Sequence, residues 1–323
     1  MAEMMYRDAL NRALFEEMRK DPLIFIMGEN IGWRGGSYKV TEGLMNEFGS
    51  ERVIDTPIAE ASFTGAAVGA ALVGTRPIVE ILFIDFALLA MDQIINQAAK
   101  YEFMSGGQDR VPIVIRTQGG MGNGLAAQHS QSLEALFYHI PGLKVVMPSV
   151  PCDAYGLLVT SIRDNQPVIF IEHKLLYMTK GEVPQEEYVI PLGQADIKKA
   201  GEDVTLVTYS HMTLKCLEAA GLLEKDGISV EVVDLRTLKP LDTKTVLASA
   251  RKTGRVIIVH EACRRGGIGG DIAAMIMEEA YDDLDGPVAR ICGKDSAIPY
   301  NLTLESACIP TVEEIIEGVL KIV

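Results

Sequence analysis

The stretch DTPIAEASFTGAAVGAALVG, residues 55–74, places one carboxylate, Glu60, at the head of a helical run almost without side chains. Thr56 could cap such a helix and Pro57 suits its first turn, where a missing N–H costs nothing. A first-turn acid that complements the helix dipole is the plainer account of Glu60. A capping box, however, would want its acid at Ala59, three residues after Thr56. Glu60 is therefore also a candidate for acid–base chemistry. His129 is a second candidate. It ends the glycine-rich segment TQGGMGNGLAAQHSQ (117–131), whose backbone freedom lets a histidine be placed where a proton must move; a surface or structural histidine is the alternative. Phe83 and Phe86 follow an apolar run; Phe83 reads as core, and Phe86 either as core or as a flat partner for a ligand ring.

Other chemistries lack their residues. The glycines at 119–124 carry no P-loop pattern. RRGGIGGDI (264–272) resembles a dinucleotide fingerprint, but Ile272 stands at the third glycine position, and close packing explains its glycines as well. No His-x-x-x-His, no His-Glu-x-x-His and no Gly-x-Ser-x-Gly occurs, so zinc and a hydrolase elbow are unsupported. The five cysteines (152, 216, 263, 292 and 308) are scattered and never spaced Cys-x-x-Cys, which points to a reducing cytoplasm. What remains is a carboxylate, an aromatic face and a loop histidine: an acid–base enzyme subunit without its own phosphate cradle.

The elements that must position these residues follow an α/β pattern. Apolar, β-branched runs at 23–27, 52–55, 77–82, 111–116, 143–147 and 167–172 alternate with helical patterns near 40–48, 57–73, 86–104, 131–139 and 151–163. Such alternation predicts a parallel sheet with helices on both faces, and ligands beyond the carboxyl ends of its strands. That rule selects the segments after 23–27, 52–55, 77–82 and 111–116, and with them Glu60, Phe86 and His129. The pattern lapses around 174–193, and a second α/β series follows with strands at 204–210, 229–235, 255–261 and 288–293. The expected organisation is an α/β domain over 1–175, a linker over 176–193 and a smaller α/β domain over 194–323, each with a parallel sheet. A chain of 323 residues suits two domains. Its net charge of −14 argues against nucleic acid or an anionic membrane as partner. The opening is charged and amphipathic, unlike a secretion signal, and the most apolar stretch is broken by Arg76, Glu80 and Asp85.

Several segments, in order, resemble one family: GEN (28–30), GSYKVTEGL (36–44), DTPIAE (55–60), AMDQIINQAAK (90–100), MSGG (104–107), AAQHSQ (126–131), PGLKVVMP (141–148) and RDNQPV (163–168). The chain is similar to beta subunits of the thiamine-diphosphate-dependent decarboxylase component of 2-oxo-acid dehydrogenase complexes, a family shared by pyruvate, branched-chain and acetoin dehydrogenases. The resemblance implies a thiamine pyrimidine-binding domain followed by a transketolase-like C-terminal domain. It implies that diphosphate and Mg²⁺ are held by a Gly-Asp-Gly motif on a separate alpha subunit, and this sequence contains no Gly-Asp-Gly. Two alpha and two beta chains would share the coenzyme.

By the same resemblance Glu60 meets N1′ of the aminopyrimidine and shares a proton with it. Phe86 lies against that ring, and Glu29 is a neighbouring acid. Ile58, Leu82 and Leu89 line the pocket. His129 assists transfer of the acyl group to a lipoyl dithiolane. A potassium site built mainly from backbone carbonyls maps onto Ile113, Ser161, Ile162, Asp164 and Gln166, with Gln166 departing from the family's asparagine. The C-terminal domain, acidic at its final helix and ending in Val323, is expected to dock the dihydrolipoyl acyltransferase core. A pyruvate-type substrate is the first expectation; a branched-chain 2-oxo acid, acetoin, a split transketolase or a non-catalytic assembly subunit are the alternatives.

Overall fold

The computed structural model describes residues 1–323, which divide into two compact units: 1–119 with 136–192, and 120–135 with 193–323. In chain order the first series of elements is β1 (Ala2–Met5), α1 (Tyr6–Lys20), β2 (Ile24–Gly28), α2 (Leu44–Phe48), β3 (Val53–Asp55), α3 (Glu60–Leu72), β4 (Arg76–Ile81), α4 (Tyr101–Met104), β5 (Val114–Gly119), α5 (Glu134–Tyr138), β6 (Lys144–Val146), α6 (Pro151–Arg163), β7 (Val168–His173) and β8 (Lys180–Val183). Within the first unit the strands run β6-β7-β5-β4-β2-β3, all parallel, and β1 pairs separately and antiparallel with β8. The near-continuous burial of β4, β5 and β7 is what a sheet covered on both faces requires.

The second series is β9 (Asp196–Lys199), β10 (Val204–Thr208), α7 (His211–Leu223), β11 (Val230–Asp234), β12 (Thr237–Lys239), α8 (Thr243–Thr253), β13 (Val256–Cys263), α9 (Gly269–Ala280), β14 (Ala289–Gly293), α10 (Leu302–Ser306) and α11 (Val312–Leu320). Its sheet runs β14-β13-β10-β11-β9, parallel except for β9. Leu206, Val232, Ile257 and Val259 from its strands and Cys216, Ala219, Ala220, Ile315 and Val319 from α7 and α11 form one core cluster.

Four expectations need correction. The strand expected at 111–116 begins at Val114, because Pro112 has no N–H for a ladder. α3 starts at Glu60 with no side-chain cap, so Thr56 does not cap it and Pro57 precedes it. The Thr56 N–H instead reaches the Gly28 carbonyl at 2.9 Å, which keeps the chain extended past β3. The helical pattern at 86–104 is three pieces: a tight 3-10 turn (Phe86–Ala90), a wide π-type turn (Gln93–Ala98) and α4. Gln93 lies so close to α3 that a Cβ on Gly65 would stand 3.0 Å from its Oε1.

The fourth correction concerns the expected linker, 176–193. Residues up to Leu192 belong to the first unit, and β8 lies inside the segment. Arg12 of α1 donates to the carbonyls of Pro184 and Gln185 at 2.6 and 2.7 Å, and Tyr188 donates to the Cys152 carbonyl. Those partners stand far away in sequence, which is why a stretch without periodicity is nevertheless held. Residues 120–135, by contrast, belong to the second unit, so His129 and Glu60 stand on different units.

Candidate active site

Glu60 opens α3 and is only 5% exposed. It forms no salt bridge within the chain, and the helix above it presents small residues: Ala61, Ser62, Ala66 and Gly69 are exposed, while Phe63, Thr64, Ala67, Val68 and Ala71 are buried. Glu29 follows β2, which pairs in parallel with β3 and β4, so Glu29, Glu60 and the residues after β4 share one end of the sheet. Burial and then the charge of Glu60 hold the Glu29 carboxyl above its usual range. A carboxyl raised by burial and by a neighbouring carboxylate favours its protonated form.

α3 packs against the turn that begins at Phe86. The Phe86 ring is half-buried and 5.8 Å from the buried Phe83 ring, which lies under the Lys174 ammonium at 4.6 Å. Phe83 is core, and Phe86 is the more exposed of the two rings. Leu82 is half-buried, whereas Ile58 and Leu89 are 80% and 63% exposed. The first unit thus brings Glu29, Ile58, Glu60, Leu82, Phe86 and Leu89 to the carboxyl ends of β2, β3 and β4. A buried carboxylate, one aromatic face and apolar side chains that this chain leaves uncovered fit an aminopyrimidine ring.

His129 is half-buried in the loop after β5, within the second unit. The potassium candidates lie at the start of β5 and at the C-terminus of α6. The carbonyls of Ile162 and Asp164 accept from the Arg76 guanidinium at 2.7 and 2.6 Å. The Ile113 carbonyl accepts from the Val168 N–H at 2.9 Å and that of Ser161 from the Asp164 N–H at 3.3 Å. The Gln166 side chain donates to Glu102 at 3.0 Å. One cationic side chain therefore already meets the negative end of α6, and both Nε and Nη2 of Arg76 donate to the Ile162 carbonyl, at 3.1 and 2.7 Å.

A buried charge network was not read from the sequence. Arg116 of β5 forks onto Glu172 of β7 at 2.7 and 2.9 Å and reaches Glu80 of β4 at 2.6 Å. Tyr177 donates to Glu172 at 2.6 Å and stacks on Tyr38 with ring centroids 4.4 Å apart. Burial opposes the Arg116 charge, but Glu172 and then Glu80 outweigh it and its pKa rises. Burial likewise pushes Glu172 up, against the pull of Arg116 and the Tyr177 hydroxyl. Glu80 stands opposite Gly28, where any Cβ would lie 2.5 Å from the Glu80 carbonyl, so the network underlies the turn that carries Glu29. The available signal was a charged residue inside each of three otherwise apolar strands.

In the second unit His260 lies inside β13 and is fully buried beside Cys292, with Nε2 and Sγ 3.4 Å apart. Burial lowers its pKa to about 4. Two glycines of RRGGIGG are packing glycines: a Cβ on Gly267 or Gly269 would press on the His260 ring at 2.8 or 2.6 Å, whereas Gly266 serves a turn with φ of 71°. All five cysteines are free thiols, and no helix is long and apolar enough to cross a membrane.

Residues 2–180 match the transketolase pyrimidine-binding domain and residues 193–315 the transketolase C-terminal domain. The chain is 48% identical over 316 residues to the pyruvate dehydrogenase E1 component subunit beta of Rickettsia felis, covering 98% of this chain and 97% of that one. It is 49% identical over 323 residues to the protein of that name from Porphyra purpurea, covering 100% and 98%. It is 48% identical over 307 residues to the 2-oxoisovalerate dehydrogenase subunit beta of Bacillus subtilis, covering 94% of each. Among solved structures it is similar to a split-gene transketolase described as an inactive beta4 tetramer, with a TM-score of 0.81, 26% identity and coverage of 99% and 98%. The chain belongs to the family of beta subunits of the thiamine-diphosphate-dependent decarboxylase component of 2-oxo-acid dehydrogenase complexes.

Proposed function

We propose that this chain, with an alpha subunit, decarboxylates pyruvate and passes the acyl group to lipoyl on a dihydrolipoyl acyltransferase. The observation that carries the reading is the buried Glu60 beside Glu29 at the carboxyl end of a parallel sheet, with the half-buried Phe86 in the turn packed against α3. Thiamine diphosphate, when bound, supplies a thiazolium carbon that adds to a 2-oxo carbonyl and takes up the electrons released with CO₂. Glu60 holds a proton at N1′ of its aminopyrimidine, with Glu29 as the neighbouring acid. Phe86 supports the ring, while Ile58, Leu82 and Leu89 exclude water. His129 moves a proton at the dithiolane sulfur during acyl transfer.

The diphosphate and Mg²⁺ fall to the alpha subunit, because this sequence lacks the Gly-Asp-Gly motif. The working assembly is two alpha and two beta chains in the cytoplasm. The oxygens of Ile113, Ser161, Ile162, Asp164 and Gln166 are the hard donors a cation such as potassium takes, and it would have to share the Ile162 and Asp164 carbonyls with Arg76. Potassium in place of sodium would then raise the melting temperature of the assembly.

The deciding experiment mixes this chain with an alpha chain bearing Gly-Asp-Gly and measures thiamine-dependent CO₂ release from pyruvate. Faster release from a branched-chain 2-oxo acid would assign the subunit to the 2-oxoisovalerate type, and acetoin cleavage to the acetoin type. Glu60→Gln keeps the size of the side chain but cannot relay the proton. It abolishes turnover in a folded assembly; a variant with unchanged exchange of the coenzyme C2–H would exclude the role given to Glu60.

A further inference from the structure

The glycine-rich loop after β5 is an anion cradle filled by the chain's own carboxylate. The backbone N–H groups of Gly122 and Gly124 donate to the two oxygens of Glu305, at 3.0 and 2.9 Å. The neighbouring Met121 N–H donates to Glu261 at 2.7 Å. Glu305 is 1% exposed, which shields its carboxylate from competing water, and Glu261 is buried at the wall of the cavity that this loop spans. Gly120, Gly122, Gly124 and Ala126 all take positive φ, from 63° to 114°. That path turns successive N–H groups toward one side, as in loops that bind anions. Here the anion is internal.

The holder of the Glu305 carboxylate is itself fixed. Asn301 accepts from the N–H groups of Thr303 and Leu304, and the Glu305 N–H returns to the Asn301 carbonyl at 2.8 Å. Gly124 lies so near this segment that a Cβ would stand 3.1 Å from Leu302 and 3.3 Å from the Tyr300 carbonyl. At the far end of the loop Tyr209 donates to the buried Glu134 at 2.7 Å. Between the two anchors the loop spans a cavity of about 320 Å³, lined among others by Gln128, Ser130, Lys294 and Ser296. His129 stands in that bridged stretch, with its N–H on the Ala126 carbonyl at 3.3 Å.

We propose that Glu305, seconded by Glu261, is a positioning residue for His129: its carboxylate fills the glycine cradle, sets the path of residues 120–126 and so places the imidazole. The consequence for catalysis rests on the acyl-transfer role given to His129 above; the latch itself does not. A carboxylate offers both oxygens as acceptors, whereas an amide offers one oxygen and turns an NH₂ group toward a donor.

The test has two arms. Hydrogen exchange of the full chain, followed by mass spectrometry, compares wild type with Glu305→Gln and Glu305→Asp. Exchange over residues 120–126 is expected to rise about tenfold or more in Glu305→Gln, with the strands of the second sheet unchanged. Glu305→Asp keeps the charge but withdraws it by one methylene, and should fall between the two; it serves as the variant should the amide unfold the unit. Exchange unchanged in both variants overturns the latch. The second arm measures decarboxylation with an artificial electron acceptor and acyl transfer to lipoyl, in the assembly with the alpha chain, for Glu305→Gln, Glu305→Asp and His129→Ala. Positioning predicts that the Glu305 variants lower acyl transfer more than decarboxylation, as His129→Ala does. A His129→Ala variant impaired in acyl transfer beside Glu305 variants that are not overturns the positioning role. A His129→Ala variant unimpaired in acyl transfer removes the role given to His129 and leaves the exchange arm to decide the latch.

Discussion

Arg116→Met is the most informative perturbation of the first unit. The guanidinium is fully buried, and it is the cation bonded to both Glu80 and Glu172, themselves 4% and 0% exposed. Its removal leaves two carboxylates desolvated and facing each other across the position it held. Breaking a buried ion pair from one side costs about 3–5 kcal/mol, out of the roughly 5–15 kcal/mol that hold a domain folded. The cost depends on pH in a fixed direction. In the variant both carboxyls are held above their unfolded range, as burial already does to Glu172 in the native chain. A raised carboxyl stabilises the fold below its unfolded pKa, and that contribution is lost as pH rises through the folded value. Urea unfolding followed by circular dichroism should therefore show a small deficit near pH 4.5 and the full deficit at pH 8. Adding Glu80→Gln and Glu172→Gln to Arg116→Met should recover most of the loss, because no unpaired charge then remains. A deficit below about 1 kcal/mol at pH 8, or one equal at both pH values, would refute the account of the network as a compensated charge cluster.

Further expectations can be checked separately. His129→Ala should spare decarboxylation measured with an artificial acceptor and depress acyl transfer to lipoyl; equal losses would move His129 to an earlier step. His260, buried and lowered to about 4, stays neutral in the folded chain while the unfolded chain protonates below its ordinary 6.5. Stability should fall as pH drops from 6.5 toward 4, by up to about 3 kcal/mol, and His260→Gln should lose that component; an equally steep decline in the variant would discard this origin. Removing Ile322 and Val323 should weaken docking of the acyltransferase in a salt-sensitive manner while sparing decarboxylation. Surface plasmon resonance that shows no change with truncation or with salt would exclude docking at this end.

Much of the architecture is local information and was legible in the chain. Runs such as LIFIM, PIVEIL and PVIFIE are β-branched and apolar over the length of a strand, and they alternate with helical periods, so a parallel sheet and the ends at which ligands bind follow from pattern alone. Glu60 stood out because a carboxylate heading a side-chain-poor helix is unusual. Boundaries were less legible where long-range hydrogen bonds shape the backbone: the Thr56 N–H bonds the Gly28 carbonyl, the chain stays extended there and α3 begins only at Glu60, and residues 176–192 are held by Arg12 and by the Cys152 carbonyl, far away in sequence. The charge pairing was hidden for the same reason. Glu80, Arg116 and Glu172 are 36 and 56 residues apart, and only the register of β4, β5 and β7 makes them neighbours. The glycine loop carries the same lesson. Its freedom was visible in the residues, but what fills it was not, since Glu305 lies 181 residues beyond Gly124. Sequence determined which segments could form strands, helices and flexible turns, because those preferences act within a few residues. Tertiary structure alone decided which buried charges meet and which carboxylate occupies the loop, because a desolvated charge is tolerated only where folding brings it a partner.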